Sequence, residues 1–297
     1  MGIMNVRRIM KLGLGACVLV LFVTAICQAA ATKESEPPVY FENIVKRLID
    51  DGFDPKKIST IFKDPAVSFT PKKVRFLFVY SESKLNYGQF SSPKSIKKAR
   101  RYLEQHQPAL SKAKKKYGVE KEIITAIILV ETKLGKYVGS ASVFNTLSTI
   151  ASLADPEPRQ ALWTHIRKKA PKQSRDKFEK KAIRKSAWAY AELKAFITYA
   201  AREQIDPTQL PGSLAGAIGI AQFMPSSILA YAADGNQDGR INLLEHADAI
   251  ASIARYLKNF GWRPGIKPKK AAKVVWQYNH SSYYVDAVLK VAKLLKG

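Results

Sequence analysis

The sequence LVETKLG places a carboxylate, Glu131, at the end of an almost wholly apolar run. Ile124, Ile127 and Ile128 precede it by seven, four and three residues, so on a helix the carboxylate projects from the apolar stripe. Burial disfavours the charged form and raises the pKa of a carboxyl group toward the range where it gives and takes a proton near neutrality. Cleavage of a glycosidic bond needs such a general acid. The alternative is a structural Glu that reaches water or Lys133.

A second group of oxygen-bearing residues follows the EF-hand spacing D-x-[DN]-x-[DN]-G-x5-E. The predicted ligands are Asp234, Asn236, Asp238, the main-chain carbonyl of Arg240, and Glu245. Ca²⁺ prefers such hard oxygen atoms, and the alternative is a plain turn rich in Asp and Asn. We expect the ion to be structural, because calcium outside the cytoplasm is abundant enough to saturate even a weak site.

A segment of small residues, GSLAGAIGIAQFMPSS, occupies positions 212–227. Its glycines let main chain or ligand approach closely, although tight helix packing would use them equally well. The segment lacks the glycine spacing of a dinucleotide site and the Gly-Lys-Ser/Thr of a phosphate loop. Ser-x-x-Lys matches occur without Ser-Asp-Asn or Lys-Thr-Gly, which disfavours a penicillin-binding or serine-peptidase fold. The four histidines show no H-E-x-x-H pairing, which disfavours a zinc peptidase. We therefore expect no organic cofactor and no zinc.

Helical periodicity dominates the elements that must position these groups. Phe41, Ile44, Val45 and Leu48 have the spacing of an amphipathic helix. One helix is predicted to begin at Ser92-Pro93 and to continue to Tyr117, where Gly118 ends it, and the helix that carries Glu131 begins at Val119. Further patterns cover about 187–203, 245–260 and 281–296. Alternating strand patterns are scarce, so the predicted class is mainly α.

The N-terminal residues have the layout of a secretory signal peptide. Three basic residues precede an apolar stretch at 12–26, and small residues follow it. This stretch is shorter than the ~20 residues that a spanning helix needs, which favours a cleaved leader over a membrane anchor. The predicted organisation is a signal peptide at 1–29, a linker at 30–38 and a single domain at 39–297.

The chain carries 49 Lys and Arg against 24 Asp and Glu, a net charge of +25. This excess predicts attraction to a polyanion, and export disfavours nucleic acid as that partner. Both cysteines, Cys17 and Cys27, lie in the leader, so the mature protein has no disulfide. The expected location is the periplasm. Membrane association stays open, because residues 14–17 resemble a lipoprotein box placed too early in the apolar run.

Four blocks of the chain resemble the lytic murein transglycosylase B family. They are YGVEKEIITAIILVETKLG at 117–135, GSLAGAIGIAQFMPSS at 212–227, DGNQDGRINLLEHADAIASIARYLKNFGW at 234–262 and YNHSSYYVDAV at 278–288. The resemblance implies a lysozyme-like, mainly α fold with a long saccharide cleft, and it places Glu131 at the position of the family's single catalytic acid. It further implies that Ser213, Gln222, Tyr256, Tyr278 and Asn279 line the cleft. The two tyrosines are alternatively core residues with satisfied hydroxyls, and Ser213 a cap.

The resemblance implies non-hydrolytic cleavage of the bond between N-acetylmuramic acid (MurNAc) and N-acetylglucosamine (GlcNAc) in peptidoglycan. A hydrolase usually needs a second carboxylate, and Asp155 and Glu157 are unsupported candidates. The alternatives are a non-catalytic peptidoglycan-binding protein of the same fold and a lysozyme-type hydrolase. The expected partners are glycan strands, with association with cell-wall synthesis or hydrolysis machinery left open, and the protein is expected to be a monomer.

The chain departs from the family pattern at several points. Leu134 replaces an aromatic residue, and the short interval between Trp262 and Trp276 predicts that the family's small β subdomain is absent. In relatives the last calcium ligand is an acid a few residues later, which corresponds here to Asp248. Asp248 is therefore an alternative to Glu245 as the last ligand. A basic insertion is predicted at about 159–186, either as a solvated helix face or as a docking surface for an acidic polymer.

Overall fold

The computed structural model describes residues 39–79 and 86–297. The predicted leader and linker lie outside these residues. The helices are α1 (Glu42–Asp50), α2 (Pro55–Lys63), α3 (Pro71–Val74), α4 (Phe76–Val79), α5 (Pro93–Gln105), α6 (Gln107–Tyr117), α7 (Lys121–Thr132), α8 (Val143–Ala151), α9 (Pro156–Arg167), α10 (Arg175–Arg202), α11 (Pro225–Tyr231), α12 (His246–Asn259), α13 (Pro268–Tyr278) and α14 (Ser282–Lys296). Two short strands, β1 (Ala141–Ser142) and β2 (Pro211–Gly212), pair antiparallel with Ala141 opposite Gly212.

Most predicted helices are present with nearly the predicted ends, which confirms the mainly α class. The single helix predicted from Pro93 to Tyr117 is wrong: α5 ends before His106, and α6 begins at Gln107. Pro108 is the reason, because a proline inside a helix removes a hydrogen bond and clashes with the preceding turn. In the first turn of a new helix the same residue is tolerated.

Helix α7 lies at the centre of the core. Its residues from Ile123 to Leu129 are all buried, so the helix is apolar on every side, as expected of one surrounded by other helices. It packs against α14, α5, α6 and α12. Each fully buried isoleucine contributes about 1.5–3 kcal/mol to stability. The helix is therefore a rigid support for Glu131, which follows the buried stretch by one residue.

The basic stretch at 159–186 comprises most of α9, a connection and the first part of α10. Glu179 is paired there with Arg159 and Arg175 at 2.5 Å each. Helix α10 then continues for 28 residues and packs against α8 and α11, so only its N-terminal part belongs to the basic stretch. Whether this stretch is an insertion stays a prediction.

The interval between Trp262 and Trp276 contains a loop and the first residues of α13. No strand occurs in that interval, so the expected lack of a β subdomain there is confirmed. No helix in the described ranges combines the length and the apolar character that crossing a bilayer requires.

Candidate active site

Glu131 occupies the last turn of α7 and is half-buried. The helix ends at the next residue, Thr132, because Lys133 and Leu134 adopt positive φ angles of 49° and 68°. Such angles are costly for residues with a Cβ, so the surrounding contacts must hold the turn. The buried hydroxyl of Thr132 supplies such a contact. It accepts a hydrogen bond from Gly135 N at 3.0 Å and lies 3.2 Å from the carbonyl oxygen of Ile220.

Ile220 belongs to the glycine-rich segment at 212–227, which the structure places against the end of α7. The segment starts with β2 and folds back on itself, since Ile218 bridges both Gly212 and Phe223. Gly219 has a φ of 71°, and a Cβ at this position would come within 2.4 Å of the carbonyl oxygen of Leu243. Glycine is therefore required at this point, where two main chains touch.

Two tyrosines form the immediate surroundings of the Glu131 carboxylate. Burial, and then the charge of Glu131, hold the pKa of Tyr278 and of Tyr284 well above 10. Tyr284 is 1% exposed, and a hydrogen bond between its hydroxyl and the Glu131 carboxylate further raises its pKa. Both hydroxyls thus remain protonated near neutral pH.

The tyrosine rings belong to an aromatic cluster behind the site. Tyr256 lies 5.0 Å from Tyr278 between ring centroids, and Phe223 lies 5.5 and 5.7 Å from the two. Tyr278 Oη donates to the Ala221 carbonyl over 2.5 Å, and Tyr256 Oη to the Gln277 carbonyl over 2.5 Å. Because Tyr256 is buried and its hydroxyl is used, the geometry gives it a packing position, whereas half-buried Tyr278 still reaches the surface.

Three polar side chains predicted for the cleft lie on loops or at a helix end. Ser213 Oγ accepts the amides of Ala215 and Ala217, which leaves its own hydrogen available for donation. Gln222 has a φ of 50°, and its Nε2 donates to the carbonyls of Val138 and Gly219 at 3.2 and 2.8 Å. Its side-chain oxygen stays available as an acceptor. Asn279 directly follows α13 and is half-buried.

The predicted calcium loop has the local geometry of a tight, oxygen-rich turn. Asp234 accepts the amides of Gln237 and Gly239, and Asp238 accepts the amide of Arg240 at 2.8 Å. Gly239, at the sixth loop position, has a φ of 86°, as the sharp bend of an EF-hand loop requires. This backbone fits a calcium loop.

The two candidates for the final ligand have different surroundings. Glu245 is exposed, and its carboxylate accepts hydrogen bonds from Nδ2 of Asn236 at 2.9 Å and Nδ2 of Asn242 at 3.0 Å, so it lies against the loop. Asp248 is buried, and its two oxygens accept the amides of Gly235 and Asn242 at 2.7 Å each. Burial raises the pKa of Asp248, and these amides oppose the rise. Across the part of the chain that the structure describes, no three His, Cys, Asp or Glu side chains are grouped for metal binding.

The structure thus brings Glu131 together with Tyr278 and with the glycine-rich segment that carries Gln222. Sequence reasoning missed Tyr284 and Thr132, the residues that act on Glu131 and on the turn after it. The helix-start pattern could have identified Tyr284, since Ser281 accepts its amide at 3.3 Å and thereby fixes it in the first turn of α14.

Comparison with protein families matches residues 39–273 to the transglycosylase SLT domain. Membrane-bound lytic murein transglycosylase B of Escherichia coli (strain K12) is 36% identical over 177 residues, which cover 60% of this chain and 41% of that protein. The chain therefore spans about two fifths of the length of this relative.

Solved lytic transglycosylase structures have the same fold. Soluble lytic transglycosylase SltB1 from Pseudomonas aeruginosa superposes with a TM-score of 0.70 at 26% identity, covering 87% of this chain and 98% of that one. Escherichia coli lytic transglycosylase SLT35 in complex with calcium gives a TM-score of 0.68 at 23% identity, with coverage of 88% and 93%. The expected lytic transglycosylase fold is confirmed. Since the matched family model extends over most of the described residues, this chain belongs to the transglycosylase SLT domain family.

Proposed function

We propose that this chain is a lytic transglycosylase that cleaves the β-1,4 bond between MurNAc and GlcNAc and leaves 1,6-anhydroMurNAc ends. The observation that carries the proposal is the carboxylate of Glu131, half-buried at the end of a rigid helix and next to two protonated tyrosines. Family membership supports it, as does the structure of the relative SltB3 with NAG-NAM-pentapeptide, a peptidoglycan fragment.

In the first step, protonated Glu131 donates its proton to the glycosidic oxygen. The bond from that oxygen to C1 of MurNAc breaks, and positive charge develops at C1. In the second step, the Glu131 carboxylate takes the proton of the C6 hydroxyl, and O6 bonds to C1. The proton returns to Glu131, and no water is consumed. Among the described residues, Glu131 is the one acid that acts on both Tyr278 and Tyr284.

The neighbouring side chains position the sugars. Ser213 donates a hydrogen bond, the Gln222 side-chain oxygen accepts one from a sugar hydroxyl or N-acetyl N–H, and the amide of Asn279 can do both. Tyr278 offers its ring edge to a pyranose ring. Tyr256 supports Tyr278 from behind and does not need to touch the substrate.

We further propose that the loop beginning at Asp234 holds a structural Ca²⁺ ion. Asp234, Asn236 and Asp238, the carbonyl of Arg240, and Glu245 would bind it, once the Asn236 amide turns its oxygen inward. Glu245 is the better final ligand, because it is exposed and its oxygens accept from the Asn236 and Asn242 side chains, which can rotate away, whereas Asp248 is buried and holds two loop amides. The ion would supply charge neutralisation between carboxylates and take no part in the proton transfers.

We infer a periplasmic location, because peptidoglycan lies outside the cytoplasmic membrane and because a signal peptide predicted at 1–29, followed by a linker predicted at 30–38, would direct export. The catalytic domain is then 39–297, and it acts as a monomer on glycan strands.

The test is digestion of purified murein sacculi, with the products identified by mass spectrometry. Wild-type protein is expected to release anhydro-muropeptides, and Glu131→Gln to lose about 10²–10⁴-fold in rate while it still binds sacculi. Glu122→Gln on the same helix is the matched control and should keep full activity. Products one water heavier would indicate a hydrolase, and unchanged release by Glu131→Gln would remove the proposal.

A further inference from the structure

A pocket of about 600 Å³ opens beside the end of α7, between that helix, α5 and the start of α12. Leu129 and Leu134 line it, so it adjoins the turn that follows Glu131. Its floor is hydrogen-bonded, since Tyr102 Oη and His246 Nδ1 are 2.8 Å apart. The His106 ring packs on the His246 ring with centroids 4.3 Å apart. The pocket therefore has a fixed base, independent of the residues that bind the scissile bond.

Four cations line this pocket: Lys98, Arg101, Lys133 and Lys136. No Asp or Glu of the described residues lines it, and none of the four forms an ion pair within that part of the chain. We call it the cationic pocket. Four like charges around one cavity repel one another, so an anionic occupant would be favoured there.

The other lining groups are suited to a peptide more than to a bare inorganic anion. Gln105 offers an amide that can pair with a main chain, and Gln89, whose Nε2 donates to the Asn86 carbonyl at 2.7 Å, offers its side-chain oxygen. Tyr137 at the rim is 65% exposed, with Lys133 Nζ 5.2 Å from its ring centroid, and Phe90 adds a second aromatic surface. Arginine binds carboxylates with two parallel hydrogen bonds.

We propose that the cationic pocket binds the acidic peptide stem carried by the MurNAc residue next to the scissile bond. This proposal rests on the proposed function, because it assumes that a glycan strand passes Glu131. Stem peptides of peptidoglycan bear several carboxylates, and the stem is attached to the sugar whose bond is cut. Arg101 and Lys98 bind those carboxylates, and Tyr137 packs against the peptide.

The test compares two preparations of the same sacculi: intact strands, and strands from which an amidase has removed the peptide stems. Wild-type protein is expected to cleave intact strands with the higher kcat/KM. The Lys98→Gln/Arg101→Gln variant should lose about tenfold on intact strands, as expected for charge-assisted hydrogen bonds, and should match wild type on stripped strands. The matched control, Lys94→Gln/Lys97→Gln, removes two exposed cations of the same helix outside the pocket.

Equal losses in the variant and in its control, or an equal loss on both kinds of strand, would overturn the proposal, because either result indicates general attraction to a polyanion. A second readout is sedimentation of each protein with the two preparations, which needs no turnover. If no protein cleaves either preparation but the pocket variant alone loses its preference for intact strands, the proposed reaction fails and the pocket assignment stands. If sedimentation also shows no preference, the assignment fails.

Discussion

At the scale of single residues, the chemistry of the site depends on which groups are able to change their protonation state. Burial and the nearby Glu131 carboxylate raise the pKa of Tyr278 and Tyr284 well above 10, so neither hydroxyl serves as a base at neutral pH. Tyr284 can donate a hydrogen bond to the ionised Glu131 carboxylate and thereby stabilise it, whereas the hydroxyl hydrogen of Tyr278 is already donated to the Ala221 carbonyl. This arrangement supports the proposed mechanism, in which Glu131 is the one residue that gives and takes the proton.

A second titratable residue makes stability depend on pH. Burial, and then the nearby His106, lower the pKa of His246 to about 4 from 6.5. The His246 ring takes up a proton near pH 6.5 in the unfolded chain but only near pH 4 in the folded chain. The contribution of the neutral His246 ring to stability is therefore fully present above pH 6.5 and is lost as the pH falls toward 4. We expect a loss of about 1–2 kcal/mol between pH 7 and 4.5, reduced by the partial exposure of the ring.

The free energy of unfolding in urea, measured at several pH values, tests this prediction. A chelator is present throughout, so that metal binding does not contribute. His246→Gln should flatten the pH dependence, and replacing the exposed His280 by Gln should leave it unchanged. A wild-type free energy of unfolding that is constant over this range would contradict the assignment.

The position of Glu131 on an apolar helix could be predicted from its spacing, because a period of 3.6 residues is local information. The partners Tyr284 and Thr132 could not, since they depend on how α14 and the glycine-rich segment meet α7. Two of the four cations of the cationic pocket come from α5 and two from the turn after α7, and no spacing in the sequence connects the two pairs.

At the scale of elements, the predicted calcium loop and the candidate active site are linked through one short path. Ile220 N donates to the Leu243 carbonyl at 2.8 Å, and the Ile220 carbonyl lies near the Thr132 hydroxyl at the end of α7. The exit of the loop therefore supports the glycine-rich segment, and that segment supports the turn after Glu131. We expect changes along this path to alter stability and activity together.

Gly219→Ala tests this path. The substitution adds strain at a φ of 71° and a main-chain clash at 2.4 Å with Leu243, so it should destabilise the fold by about 2–4 kcal/mol. Gly265→Ala is the matched control, because its φ of 70° is nearly the same and nothing lies within 4 Å of the added Cβ. It should cost about 1–2 kcal/mol. Equal losses in urea unfolding would show that the contact has no role.

Calcium binding gives a second prediction for the same path. At a concentration 100 times Kd, Ca²⁺ should stabilise the protein by about 2.7 kcal/mol, and chelator should reverse this. Asp234→Asn should abolish the response, whereas Asp286→Asn on α14, an exposed acid outside the loop, should keep it. Thermal unfolding with and without Ca²⁺ provides the measurement, and a full response in Asp234→Asn would place the ion elsewhere.

The element boundaries show where local patterns are sufficient. Gly118 ends α6 with a φ of 70°, as the sequence predicts. The break between α5 and α6 was missed because apolar spacing continues across His106, although Pro108 was the available signal. Helix α10 begins at Arg175, well before its apolar pattern, because its first turns bury only Phe178 and Ala182 among residues that are mostly charged.

At the scale of the whole molecule, the fold brings together one group of cations from separate parts of the chain. We call it the basic surface: Lys72, Arg75, Lys168, Lys181, Arg184 and Lys185. Burial, and then the charges of Lys72, Lys168 and Arg75, lower the pKa of His165, which places these three cations around one residue. Burial and neighbouring cations likewise lower the pKa of Lys181 and Lys185. Composition predicts the total charge, and only the fold brings α3, the end of α9 and the start of α10 together.

We expect this basic surface to strengthen attachment to anionic murein in a salt-dependent manner. With Glu131→Gln, to prevent digestion, binding to sacculi should fall about tenfold between 50 and 500 mM salt, because exposed charges are screened as the Debye length shortens. Adding Lys181→Gln, Arg184→Gln and Lys185→Gln should weaken binding at low salt and flatten its salt dependence. The matched control replaces Lys267, Lys269 and Lys270, three exposed cations at the start of α13. If both triple variants respond alike in sedimentation with sacculi, net charge alone determines attachment and the basic surface has no special role.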